Sequence, residues 1–132
     1  MTAPYPFIHH ITLLASDFDA SEPFYTAVLA PLGVIAGDRD PGGIEYWEDG
    51  IDTPSFAVGP AQPGEDVTRG VHLAFTAKDR AAVDAFYEAA LANGGKERHA
   101  PRLWPEYRAY CAFVSDPDGN NIEAVHKEVP EA

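Results

Sequence analysis

Only nine of the 132 residues are Lys or Arg, against 21 Asp and Glu, which gives a formal net charge of −12. No basic stripe able to neutralise a phosphate backbone can be assembled from so few cations, so nucleic acid is excluded as the expected partner. The acidic residues are scattered along the chain and describe a self-repelling, soluble surface. Cysteine is almost absent: Cys111 is the only one and lies in an apolar stretch. Alone it forms no internal bridge, and it reads as a small core or pocket residue. No apolar run approaches the length of a membrane span, and the first residues, Met1 to Pro6, lack a basic segment followed by an apolar one. The expectation is a soluble cytoplasmic protein whose residues 1–132 form one domain, large enough to build a core without disulfides.

What is present is organised by a turn near the end of the chain. Asp116-Pro117-Asp118-Gly119 combines a fixed φ at Pro with a glycine free to turn left-handed, and apolar runs flank it on both sides. The unit reads as a hairpin, and its second strand, Asn121 to His126, carries one carboxylate, Glu123, among apolar neighbours. A carboxylate so placed needs a partner.

The rest of the chain is written twice. A shift of 62 residues aligns His10 with His72, Asp17 with Asp79, Phe24-Tyr25 with Phe86-Tyr87 and Gly33 with Gly95, ten identities in 24 ungapped positions. In each copy a strand, 8–15 or 71–76, is followed by a helix. The first helix starts at about Asp19 or Ala20, so that Pro23 falls near its first turn, and the second runs from about Arg80 to Ala92. Three further strands follow each helix; in the second copy they are 95–99, 107–114 and 121–126. Module one therefore spans about 7–59 and module two about 70–127, joined by a Pro/Gly-rich linker of about 60–69. The fold class is α+β: two tandem βαβββ modules forming a curved, half-open mixed β-barrel with helices outside.

Period 2 places His10, Thr12 and Leu14 on one strand face and His9, Ile11 and Leu13 on the other. The repeat puts His72 at the place equivalent to His10, and Glu123 lies on a strand that can neighbour that of His72. Two imidazoles and a carboxylate on one face make a ligand set for one divalent metal ion, Fe, Mn, Zn, Ni or Co, with open positions for a substrate. His9, His99 and His126 have no repeat partner and are left outside this set.

These residues resemble the vicinal oxygen chelate superfamily, which includes glyoxalase I, extradiol dioxygenases, fosfomycin-resistance thiol transferases, methylmalonyl-CoA epimerase and bleomycin-resistance proteins. The resemblance spans roughly Phe7 to His126 and is most specific at Asp116-Pro117-Asp118-Gly119-Asn120-Asn121-Ile122-Glu123. It implies the paired-module fold, a divalent metal, and His10, His72 and Glu123 as the matching ligand positions. Glyoxalase I and the epimerases generally bring a further carboxylate from the last strand of module one. Aligning Ser55-Phe56-Ala57-Val58 with Ile122-Glu123-Ala124-Val125 puts Phe56 there, as a substrate-contacting residue without acid–base chemistry.

If Asp116 and Gly119 are the ends of a four-residue turn, Glu123 faces Ala112, and Tyr110 and Arg108 share its side of the sheet. Tyr110 then serves as hydrogen-bond donor or acid, and Arg108 as a binder of anionic groups. A one-residue bulge exchanges them for Ala109 and Cys111. Trp104, in a loop expected at 99–106, either covers the site or pins that loop to the barrel edge or a second subunit. Trp47 either lines the pocket or fills the core. The leading expectation is a metal-dependent enzyme of the glyoxalase/dioxygenase type, a lyase, dioxygenase or transferase acting on a small oxygen-rich molecule, and a homodimer. The alternative is a metal-free protein that sequesters a drug-like small molecule, as bleomycin-resistance proteins do.

Overall fold

The computed structural model describes residues 6–128. Its first half contains β1 (Ile11–Ala15), α1 (Phe18–Leu29), β2 (Val34–Ala36), β3 (Ile44–Glu48) and β4 (Phe56–Pro60). The second contains β5 (His72–Thr76), α2 (Arg80–Ala92), β6 (Lys96–Trp104), β7 (Ala109–Ser115) and β8 (Asn121–Lys127). Each half makes its own four-stranded mixed sheet, ordered β1-β4-β3-β2 and β5-β8-β7-β6, so the topology repeats along with the sequence. No helix among the described residues is long and apolar enough to cross a membrane.

Equivalent residues do equivalent work at the helix starts. Asp17 and Asp79 accept hydrogen bonds from the backbone N–H groups of Ala20 and Ala82, capping α1 and α2. Because Asp17 is the cap, α1 begins at Phe18, earlier than Pro23 alone suggests, and Pro23 lies in the second turn at the loss of one backbone hydrogen bond. At the helix ends the repeat diverges. Gly33 takes a left-handed φ of 78°, whereas in the second half Gly94 does so, with φ 91°. Gly95 is needed for a different reason: a Cβ there would come within 2.7 Å of the Phe24 ring of α1.

Both helices cover the same side of their sheets and share one core. Phe24, Val28, Val83 and Phe86 are fully buried, together with Val58, Ala112, Val114, Ile122 and Ala124 from the strands. Phe56 of β4 and Phe75 of β5 meet edge to face at 5.2 Å, joining the two halves.

A polar network adds a second joint, and it centres on the hairpin loop. The Tyr25 hydroxyl of α1 donates to Asp116 across 2.5 Å, and the Asn120 side-chain amide donates to Asp116 and to the Thr68 carbonyl. Thr68 in turn exchanges hydrogen bonds with Leu14, its hydroxyl accepting from the Leu14 N–H and its own N–H donating to the Leu14 carbonyl. The linker is therefore strapped along the outer edge of β1.

The segment expected as a loop over 99–106 is different. Strand β6 continues to Trp104, with register irregularities between Glu97 and His99 and between His99 and Arg102. Bulges let a strand containing Pro101 stay paired with β7.

Candidate functional site

The strands of the second sheet sort their side chains cleanly. Ile122 and Ala124 of β8 face α2 and the core, so Asn121, Glu123, Val125 and Lys127 face the other way. His72 starts β5 opposite Asn121, and Ala74 lies opposite Glu123 in the parallel ladder. From these positions the His72 Nε2 and Glu123 Oε1 atoms meet at 2.8 Å. Glu123 is buried while His72 is exposed, so the imidazole presents the carboxylate to a surface.

Strand β7 carries a correction. Ser115 pairs with Asn121, so five residues, Asp116 to Asn120, form the loop, and Glu123 lies opposite Phe113, not Ala112. The extra residue is Asn120, which leaves the ladder to bury its side chain and accept from the Val71 N–H. One added residue turns β7 over. Tyr110 therefore points to the helix side, where its hydroxyl donates to Asp84 of α2 at 2.8 Å. Arg108 precedes the strand, exposed, with a left-handed φ of 49°. Neither Tyr110 nor Arg108 lines the Glu123 face.

Ala109, Cys111 and Phe113 take their places, opposite Lys127, Val125 and Glu123. With His72, His99, Trp104, Tyr107 and Asn121 they line a cleft of about 480 Å³. His99, Trp104 and Phe113 contact one another edge to face at 5.2 to 5.5 Å, making an aromatic wall, and the Arg102 guanidinium stacks on the outside of Trp104 at 3.4 Å. The Cys111 thiol is pushed up to about 12, by burial first and then by the neighbouring Glu123 carboxylate, so it stays a neutral thiol.

Sequence reasoning leaves out His99, Phe113 and Lys127. Lys127 was legible: it stands four residues beyond Glu123, on the same face by period 2. His99 was not, because the bulges in β6 break the alternation that would have assigned it.

Module one presents its corresponding face separately. Thr12, Glu45, Trp47, Ala57 and Gly59 line a cleft of about 650 Å³ together with Asp38 and Asp40. Trp47 is thus a lining residue there. Phe56 is placed differently from expectation: it is 4 % exposed and packs on Tyr25, Tyr46 and Phe75 in the core. The ladders explain why. Ile11 pairs with Phe56 and Leu73 with Ile122, so Phe56 matches Ile122, and the residue matching Glu123 is Ala57. The alignment slips by one, and module one still brings no carboxylate to that position.

His10 lies just before β1, which starts at Ile11 and not at Ile8. Exposed, it contacts the His9 ring at 2.9 Å between Nδ1 atoms. Among the described residues no three His, Cys, Asp or Glu side chains form a metal-binding group, so His10 does not join His72 and Glu123 within one chain.

Two βαβββ units of identical strand order, sharing a core on their helix sides and each opening a cleft on the other, define a duplicated α+β domain. The Glyoxalase/Bleomycin resistance protein/Dioxygenase superfamily model matches residues 7–124, and the chain belongs to that superfamily. Its fold is shared by a glyoxalase/bleomycin resistance protein from Albidiferax ferrireducens T118, with 30% identity, 92% of this chain and 99% of that one covered, and a TM-score of 0.78. A glyoxalase-related enzyme from Fulvimarina pelagi matches with 25% identity, 91% and 87% coverage, and a TM-score of 0.71. Lactoylglutathione lyase from Agrobacterium tumefaciens has the same fold at 23% identity, 94% and 96% coverage, and a TM-score of 0.65. No curated protein matches the sequence.

Proposed function

We propose that this chain is a divalent-metal-dependent enzyme acting on a small oxygen-rich molecule, with His72 and Glu123 of one copy and His10 of a second copy as the metal ligands. The observation that carries the reading is the 2.8 Å approach of the His72 Nε2 to the Glu123 carboxylate at the cleft surface. An imidazole nitrogen and a carboxylate oxygen already directed at one point are the donor types such an ion takes, and they fit it. Bound there, the ion would polarise substrate oxygens and offset negative charge developing on them. The chain's own part is to hold the ligands and to keep water off with Phe113 and Trp104, which line the cleft. Ala57 at the counterpart of Glu123 favours a three-ligand set.

A second copy is supported by charge. Of the nine Lys and Arg residues, only Arg39 precedes the linker, whereas seven lie between Lys78 and Lys127. The module-one cleft is lined by three carboxylates, Asp38, Asp40 and Glu45, the module-two cleft by one, Glu123, beside His72, His99 and Lys127. A module-one face opposed to a module-two face would meet less repulsion than two module-one faces, close each cleft into a half-open barrel, and bring His10 toward the other copy's His72.

Metal content of protein purified without chelator tests the reading, with His10→Ala and His72→Ala as controls. Each variant alone should lose the metal, and a refolded mixture of the two should regain it, because a mixed dimer contains one intact site. Wild type without metal, and with a melting temperature indifferent to added divalent ions, would overturn it. Loaded protein is then screened with hemithioacetals, catechols and epoxides to assign the reaction as lyase, dioxygenase or transferase. A second reading, metal-free sequestration of a small molecule, is favoured by the aromatic wall of His99, Trp104 and Phe113. It predicts ligand binding that is unchanged by chelator.

A further inference from the structure

The cleft beside Glu123 has a second pole. Lys127 is the only Lys or Arg among the described residues that line it. It sits on the Glu123 face of β8, and the ladder sets it opposite the small side chain of Ala109. Four residues of extended strand separate Glu123 from Lys127, roughly 13 Å. The ammonium is not left to wander: it donates one hydrogen bond to the Tyr107 carbonyl, at the rim, and keeps two N–H groups unused by it. It makes no ion pair with a carboxylate among the described residues, whereas Arg39, Arg69 and Arg80 each do. Between the poles the lining is apolar or aromatic: Val125, Cys111, Phe113 and Trp104.

A cleft with an imidazole–carboxylate pair at one end, an apolar middle and a held ammonium at the other matches an elongated molecule of the same polarity. We propose that Lys127 is a specificity-determining residue that selects an organic anion, its apolar body on Phe113, Trp104 and Val125 and its carboxylate, phosphate or sulfonate on the Lys127 ammonium. The inference deepens the proposed function by naming the substrate class of the same cleft, and it rests on that reading only in assuming that the cleft is the site. The surrounding field sharpens it. At a net charge of −12 the protein repels anions in general, so any preference for an acid over its neutral isostere must come from a local cation.

Phenylbutyrate and phenylbutanol, equal in length and differing in the charged end, are titrated calorimetrically into the full protein with chelator present. Wild type should bind the acid about tenfold more tightly than the alcohol. Lys127→Met should abolish that ratio by weakening the acid alone, and Lys127→Arg should keep most of it. Benzoate, too short to rest its ring on Phe113 and reach Lys127, should gain nothing from the lysine. Equal binding of acid and alcohol, a ratio that survives Lys127→Met, or no binding of the acid at millimolar concentration each overturns the proposal. Lys127 is exposed at a strand end, so unchanged melting temperatures will show that the variants are folded. Because chelator is present throughout, failure here leaves the metal result standing, and failure of the metal test leaves this one standing.

Discussion

His72 and Glu123 touch diagonally across a parallel pair of strands: neither is the other's ladder partner, yet their side chains meet at 2.8 Å. The contact spends one carboxylate oxygen of a buried residue on an exposed imidazole. In metal-stripped protein, His72→Ala should cost about 1–2 kcal/mol in urea unfolding, because the carboxylate loses a partner without regaining full hydration. Glu123→Gln should cost less, and the double variant no more than His72→Ala alone. Strict additivity of the two would show that the pair is not coupled.

Tyr110 and Cys111 are adjacent in sequence and opposite in role. Tyr110→Phe removes a hydrogen bond to Asp84 at the surface and should cost only about 0.5 kcal/mol, with metal content and phenylbutyrate affinity unchanged. Cys111→Leu pushes two methyl groups into the cleft and should weaken phenylbutyrate about fivefold or more. The reverse pattern in calorimetry would restore Tyr110 to the site.

Tyr25 makes stability sensitive to alkaline pH. Its phenol is held far above the ordinary 10.0, by burial first and then by the Asp116 carboxylate it donates to. A group whose pKa rises on folding contributes stability below its unfolded value and loses it as pH climbs above that value. Melting temperature should therefore fall between about pH 9 and 11, as the unfolded chain ionises while the native phenol does not. Tyr25→Phe should flatten that fall while costing about 1–3 kcal/mol at neutral pH. Tyr46, pushed up to about 12 by burial, leaves a residual slope of the same sign. Parallel curves for wild type and variant would refute the assignment.

Much of this was legible in the sequence because it follows from periodicity. The repeat locates both caps, both Phe-Tyr pairs and the twin sheets, and α2 runs from Arg80 to Ala92 as its apolar spacing requires. The face of Glu123 was legible too, since β8 is regular. What failed depended on how many residues a turn contains. The loop holds five residues, not four, which misplaced Tyr110 and Arg108, and the slip of Phe56 for Ala57 arose because the two modules connect their last strands with loops of different length. Trp104 does reach the cleft, but on a bulged strand rather than a loop. No local pattern reports how His10 relates to His72, because that depends on how copies associate.

Asn120 joins more of the molecule than its position in a surface turn suggests. Asn120→Ala strips the Val71 N–H, the Thr68 carbonyl and Asp116 of a buried partner at once. The expected loss is about 2–4 kcal/mol in urea unfolding. A loss within experimental error of zero would mean that water replaces the side chain without cost.

The same loop is a site of variation with unusual leverage. A descendant that lost one residue between Asp116 and Asn120 and kept the rest of the pairing would carry β7 letter for letter and yet offer Tyr110 to its ligand in place of Cys111 and Phe113. Relatives with the same strand residues can therefore differ in what they bind through an insertion or deletion alone. For this chain, gaps at the hairpin are as informative as substitutions when its cleft is compared with that of another member of the superfamily.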